Sequence, residues 1–314
     1  MNMKLITPND LGATMYVPAT HPELTAIARG SKYPELLSMV ICLEDAVLDR
    51  DIPQALANLR RTLSALAATG ARGDGPLLFI RPRHAGMAAT LIQDDTLNLA
   101  AIDGLVLPKF NLDSLDTWLA LTANTHLRWM PTLEDAQVYD VSRMQALADA
   151  LQARAADRVL ALRIGGNDLM SVLGLRRSRE HTLYEGPLGY VIKMLVSVFG
   201  SRGFALTSPV CELIDSPEML RRELKQDMLH GMVGKTAIHP SQIAIIHGAL
   251  KVAPRDYQEA LRILNADSAV FKSDGAMCEP ATHLNWAHRI IQLGQKYGYA
   301  DPTPPDAERI NHAG

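Results

Sequence analysis

The sequence predicts an α/β fold, a (β/α)8 TIM barrel carrying a C-terminal helical appendage. Three observations predict it. Eight short apolar runs recur along the chain: Thr14–Val17, Met39–Leu43, Leu77–Ile80, Gly104–Leu107, Trp129–Leu133, Val159–Ile164, Phe204–Thr207 and Met232–Ala237. Most are continuously apolar rather than alternating, as parallel strands covered on both faces require. Each is followed by a stretch of helical pattern, so the repeating unit is a strand and its crossover. A doubly wound open sheet uses the same unit; the count of eight favours the barrel.

The crossovers read as follows. Ile52–Ala68 opens with Pro53 in its first turn and stops before Gly70, a matched start and stop. Met87–Ala101, Leu112–Asn124, Ala136–Ala156 and Gly189–Gly200 follow, then Ser216–His230 with Ser216 as the expected N-cap before Pro217, and Pro240–Leu250 closes the series. Residues 1–252 are assigned to the barrel and 253–314 to the appendage, which reads as two helices within Pro254–Tyr299 joined by Ser273–Pro280. The polar, proline-rich tail from Pro302 to Gly314 is expected to be a mobile end or a strap.

Composition narrows the function classes. The chain has 314 residues, 47% of them hydrophobic, enough for a large core. A net charge of −3 gives no broad basic surface, which argues against nucleic acid as a partner. No stretch approaches the roughly 18 apolar residues of a membrane helix, and Met1–Asp10 lacks the apolar core of a signal peptide, so no membrane partner is expected. The three cysteines, Cys42, Cys211 and Cys278, form no close pair, which points to a reducing, cytoplasmic setting with each thiol buried as a small apolar residue.

What ends each predicted strand carries the chemistry. The second strand ends in Glu44 and Asp45, the third in Arg81 and Arg83, the fourth in Pro108 and Lys109, and the fifth in Glu134 and Asp135. The sixth ends in Gly165, Gly166, Asn167 and Asp168, the seventh in Ser208 and the eighth in His239. In a barrel these ends meet at one mouth. Glu134 and Asp168 are hard oxygen ligands on adjacent strands, and Mg²⁺ takes one or two carboxylates together with water and substrate oxygens. Glu44 and Asp45 suit the support of such waters. Arg81 offers a planar fork for a carboxylate or carbonyl. A divalent ion with an arginine is suited to stabilising an enolate.

Each residue also has a plainer reading. Asp45 and Asp135 precede helical segments and suit helix caps. Arg83 and Lys109 suit surface ion pairs, and His239 and His247 suit structural roles. Gly165 and Gly166 lack the spacing of a phosphate loop, and no zinc-binding spacing occurs.

Taken in order, these segments resemble the HpcH/HpaI aldolase and citrate lyase β-subunit superfamily. The matching segments are Ile41–Val47, Phe79–Arg81, Leu105–Lys109, Leu133–Glu134, Ile164–Leu169 and Gly231–Gln242. The resemblance implies a (β/α)8 barrel, trimeric or hexameric, that makes or breaks C–C bonds in small oxo- or hydroxy-acids or their coenzyme A thioesters. It implies Mg²⁺, or Mn²⁺, on Glu134 and Asp168, with Arg81 on the substrate oxygens. It makes Glu44, Asp45 and Lys109 further catalytic candidates. Gly275–Pro280 resembles the segment that brings an acid into a neighbouring subunit's site, with Glu279 where aspartate is common. The chain departs from the family at Leu206–Pro209, Asp135 and Pro82–Arg83, which bears on the substrate. Rival readings are thioester hydrolysis at the same site and an inactive binding subunit.

Overall fold

A computed structural model describes residues 6–68, 75–273 and 275–300. Gly70, Met1–Leu5 and the tail Pro302–Gly314 lie outside the described residues. Contacts divide the chain into two compact units, Met1–Ile246 and His247–Gly314.

In the first unit the eight apolar runs pair as parallel strands. They are β1 (Gly12–Pro18), β2 (Ser38–Cys42), β3 (Leu77–Arg81), β4 (Gly104–Leu107), β5 (Arg128–Leu133), β6 (Leu162–Ile164), β7 (Leu206–Thr207) and β8 (Gly234–Ala237). Their order is β7-β6-β5-β4-β3-β2-β1-β8. The remaining seam, between β7 and β8, closes through the bridge Ser208–Lys235, with Val233 N–H donating to Leu206 O at 3.0 Å and Ser208 N–H to Gly234 O at 2.9 Å. The unit is therefore a (β/α)8 barrel with a thin last seam.

The helices covering the barrel are α1 (Leu24–Ala28), α2 (Ile52–Ala67), α3 (Ala85–Gln93), α4 (Leu115–Thr122), α5 (Val141–Arg154), α6 (Gly166–Val172), α7 (Pro187–Gly200), α8 (Pro217–Leu229) and α9 (Ser241–Leu250). Two predicted helices break, and short polar side chains are the cause. The Met87–Ala101 pattern splits because Asp94 takes an extended backbone and its Oδ1 accepts from Thr96 N–H at 2.9 Å. The Ala136–Ala156 pattern splits into a 3₁₀ turn and α5 because Asp135 caps Gln137 and Asp140 caps Ser142 and Arg143. Ser216 stands at the N-cap of α8 but makes no side-chain cap bond, contrary to expectation. Helices α1 and α6 are too short to leave a periodic signal.

Alternation along the strands builds the barrel interior in layers. The lower layer is a cluster of Leu11, Val40, Phe79, Val106, Met130, Leu160, Ala161 and Val233, with Tyr16 packed against it. Two residues further along, the same face carries Cys42, Arg81, Thr132 and Arg163. Two further still, past the ends of β2, β5 and β6, come Glu44, Glu134 and Gly165. The polarity of the interior thus rises toward the mouth.

The second unit contains α10 (Pro254–Leu264) and α11 (Pro280–Tyr297). The connector between them is an antiparallel hairpin, β9 (Phe271–Ser273) with β10 (Ala276–Cys278). Ala260, Ile263, Cys278 and Ala287 form its core. The described part of the chain has no helix long and apolar enough to cross a membrane.

Candidate active site

Glu134 is the centre of the mouth. It follows β5, is 2% exposed, and has most of its acceptor capacity committed. Its Oε1 accepts from Arg81 Nη2 at 3.0 Å and from Lys109 N–H at 2.8 Å, and its Oε2 lies 3.2 Å from the same Nη2. Lys109 reaches it with a backbone φ of 46°, the one positive φ outside glycine among the described residues. That left-handed turn after Pro108 aims the amide inward and is the kind of local strain found at functional sites.

Gly165 leaves the room Glu134 needs. A Cβ at Gly165 would lie 2.4 Å from Glu134 Cβ and 2.5 Å from its Oε2. Gly165 has a φ of −83°, so space rather than backbone freedom calls for glycine here. The first turn of α6 then presents Asp168, while Asn167 Nδ2 donates to Glu212 Oε2 at 2.7 Å.

Arg81 ends β3 and joins the acids. Its Nη2 pairs with both Glu134 and Glu44, while Nη1 makes no hydrogen bond among the described residues. Burial alone would make Arg81 easier to deprotonate, but Tyr16, Glu134 and Glu44 beside it hold its charge more tightly than usual. Burial pushes Glu44 up to about 7 against the pull of Arg81, with Glu134 and Asp45 adding to the push. Burial also raises Glu134, and Asp168 adds to that; Asp168 itself is raised by burial and by Asp45.

The structure thus brings Glu44, Asp45, Arg81, Lys109, Glu134 and Asp168 within electrostatic reach of one another. Four carboxylates face Arg81 and Lys109 at this mouth, a deficit of positive charge that a divalent cation would fill. No three His, Cys, Asp or Glu side chains converge as a complete metal-holding group among the described residues. An oxygen-only pair from adjacent strands matches the one or two carboxylates that Mg²⁺ takes, and leaves its other positions to water and substrate. The residues therefore fit a divalent ion.

Other residues singled out in the sequence make contacts of their own. Asp135 is a cap and also accepts from Asn111 Nδ2 at 2.7 Å. Arg83 pairs with Asp49 at 2.6 Å. His239 Nδ1 meets Ser241 Oγ at 2.8 Å. Glu279 belongs to the second unit, at the N-cap position of α11, where its carbonyl rather than its side chain accepts hydrogen bonds.

Two groups escaped the sequence reading. Tyr16 and Arg163 sit in the layer below the acids, with the Arg163 guanidinium carbon 5.2 Å from the Tyr16 ring centroid. A lone arginine inside the apolar run Val159–Ile164 was the available signal. The other group is a buried network on the outer side of β8. Lys235 Nζ donates to Asp227 Oδ2 at 2.9 Å and lies 3.4 Å from Glu223, which pairs with Arg177. Tyr184 donates to Asp227 Oδ1 at 2.6 Å. Lys235 thus serves packing between β8 and α8, although it lies in the longest matching segment.

A family described as the C–C bond lyases of the TIM-barrel fold matches residues 5–299. The chain belongs to this C–C bond lyase family. It is in consequence a member of an enzyme family. A (3S)-malyl-CoA thioesterase from Cereibacter sphaeroides is 25% identical over 257 residues, 81% of this chain and 82% of its own. Among solved structures, protein CitE from Mycobacterium tuberculosis in complex with magnesium, acetoacetate and coenzyme A aligns with a TM-score of 0.67 and 21% identity. That alignment covers 91% of this lyase-family chain and 99% of the other. The citrate lyase β subunit with oxaloacetate and magnesium from the same organism gives 0.57 at 22% identity, over 78% and 99% of the two chains. At these identities the structures speak for the fold.

Proposed function

We propose that this chain is a divalent-metal-dependent carbon–carbon lyase acting at the barrel mouth on a small oxo- or hydroxy-carboxylic acid or its coenzyme A thioester. The observation that carries this is the division of labour in Arg81. Nη2 is committed to Glu44 and Glu134, and Nη1 is left for a substrate oxygen, beside an oxygen-donor pair that suits Mg²⁺ or Mn²⁺. Magnesium, acetoacetate, oxaloacetate and coenzyme A in the related structures support the same class of ligand.

Glu134 and Asp168 would hold the ion. When bound, it supplies a Lewis acid that polarises a carbonyl and stabilises negative charge. The chain's own residues do the rest. Arg81 Nη1 binds and orients the substrate's oxygen and stabilises charge that develops there when the adjacent C–C bond breaks. Lys109 N–H and Gly165 fix Glu134. Glu44, its carboxyl raised by burial to about 7, would take or return a proton at the substrate hydroxyl. Asp45 holds water or substrate hydroxyl beside Asp168. We further propose that the chain works in the cytoplasm as a homotrimer or hexamer.

Thioester hydrolysis is the second reading, favoured by the thioesterase relatives. A panel of 3-hydroxy- and 3-oxo-acids and their coenzyme A thioesters, incubated with Mg²⁺ and analysed by NMR, separates the two. Two carbon fragments mark the lyase; one intact acid with free coenzyme A marks the hydrolase and contradicts the proposal.

A further inference from the structure

Below the acid ring the barrel holds a second arginine that the proposed chemistry does not use. Arg163 on β6 is 2% exposed and forms no ion pair among the described residues. Its Nη2 donates to Thr236 Oγ1 at 2.5 Å, its Nη1 lies 3.7 Å from Met130 Sδ, and its guanidinium carbon lies 5.2 Å from the Tyr16 ring centroid. Burying a guanidinium without a carboxylate is expensive, and an apolar side chain of similar length would fill the space without that cost.

The same Tyr16 ring lies 6.0 Å from the guanidinium carbon of Arg81. One aromatic ring therefore serves two guanidinium groups, both attracted to its face. Arg81 needs such a support. It meets its two acids through Nη2 alone, and its buried Nε has no hydrogen-bond partner. A guanidinium held at one nitrogen can pivot about it, or sink into the barrel. The Arg163 cation in the same layer repels Arg81, the two carboxylates above attract it, and the ring opposes the pivot.

We propose that Tyr16 and Arg163 are positioning residues for Arg81. The ring seats its plane, and the Arg163 cation, anchored on Thr236 in the same layer, repels Arg81 toward its acids and so keeps Nη2 on both of them and Nη1 free. The inference rests on the reading of Arg81 as the substrate-binding arginine.

The test is arginine side-chain NMR on the full-length, metal-free, ¹⁵N-labelled protein, with the Arg81 signal identified by its loss in Arg81→Lys. Resolved, slowly rotating Arg81 Nη signals are expected in the wild type and in Tyr16→Phe, and averaged signals in Tyr16→Leu and Arg163→Met. The second arm is oxaloacetate affinity in saturating Mn²⁺. It should fall at least tenfold in Tyr16→Leu and Arg163→Met, less than threefold in Tyr16→Phe, and recover to within threefold of wild type in Arg163→Lys, which keeps the charge. Unchanged Arg81 signals in Tyr16→Leu and Arg163→Met overturn the proposal. So does an equal loss in Arg163→Lys and Arg163→Met that tracks their melting temperatures, which marks a merely structural residue. Wild-type protein that does not bind oxaloacetate counts against the proposed function, and the NMR arm then decides the positioning role by itself.

Discussion

A single methyl group decides whether Glu134 keeps its place. Because a Cβ on Gly165 would collide with Glu134 Cβ and Oε2 while the backbone there suits any residue, Gly165→Ala isolates the steric effect. Activity should fall at least tenfold, about 1.4 kcal/mol in the barrier, with the melting temperature lowered by only a few degrees. Wild-type activity would show that Glu134 has no fixed position. Arg81→Lys removes the planar fork and keeps the charge, so it should cost tenfold or more in kcat/KM with little change in thermal stability. Equal loss of both would make Arg81 a structural ion-pair residue. At this scale the sequence was most legible where polar groups end apolar strands, as at Arg81 and Glu134. Tyr16 and Arg163 were missed because neither stands at a strand end, and the inward phase of each strand is set by the closed sheet rather than by local pattern. The left-handed backbone of Lys109 carried no local signal at all.

Among the elements, the thin seam between β7 and β8 is reinforced from outside by the Lys235 network. Lys235→Met leaves Glu223 and Asp227 buried with one cation fewer, a change that costs about 3–5 kcal/mol for a broken buried pair. Urea denaturation should register that loss; a variant as stable as wild type would mean the network is not a clamp. The turn that splits the third crossover offers a pH test. Thr96 and then Arg60 hold the Asp94 carboxyl down to about 2, below its ordinary 3.8. A depressed carboxyl stabilises the fold above its unfolded value, and the contribution fades as pH falls from near 4 through 2. NMR titration should find Asp94 ionised at pH 3, and Thr96→Ala should move its titration upward. An Asp94 that titrates near 3.8 in the wild type would remove the turn's charge from the account. The eight strands were readable because apolar runs are continuous, whereas helix interruptions at Asp94 and Asp140 depend on side-chain-to-backbone bonds that periodicity does not show. The hairpin between α10 and α11 was missed for a related reason: its strands are three residues each, too short for alternation to register.

For the whole molecule, the barrel supplies a mouth at which six residues from the ends of five strands meet, and their combined charge asks for a divalent ion. Family membership accounts for the class of chemistry. The central claim is that Glu134 and Asp168 hold the metal on which the reaction depends. Mn²⁺ titration of the metal-free protein, followed by electron paramagnetic resonance, tests it most directly. We expect one Mn²⁺ per chain, at least tenfold weaker binding in Glu134→Gln and in Asp168→Asn, and a wild-type melting temperature in Asp168→Asn. Undiminished Mn²⁺ binding in either variant, or no Mn²⁺ binding by the wild type, would contradict it.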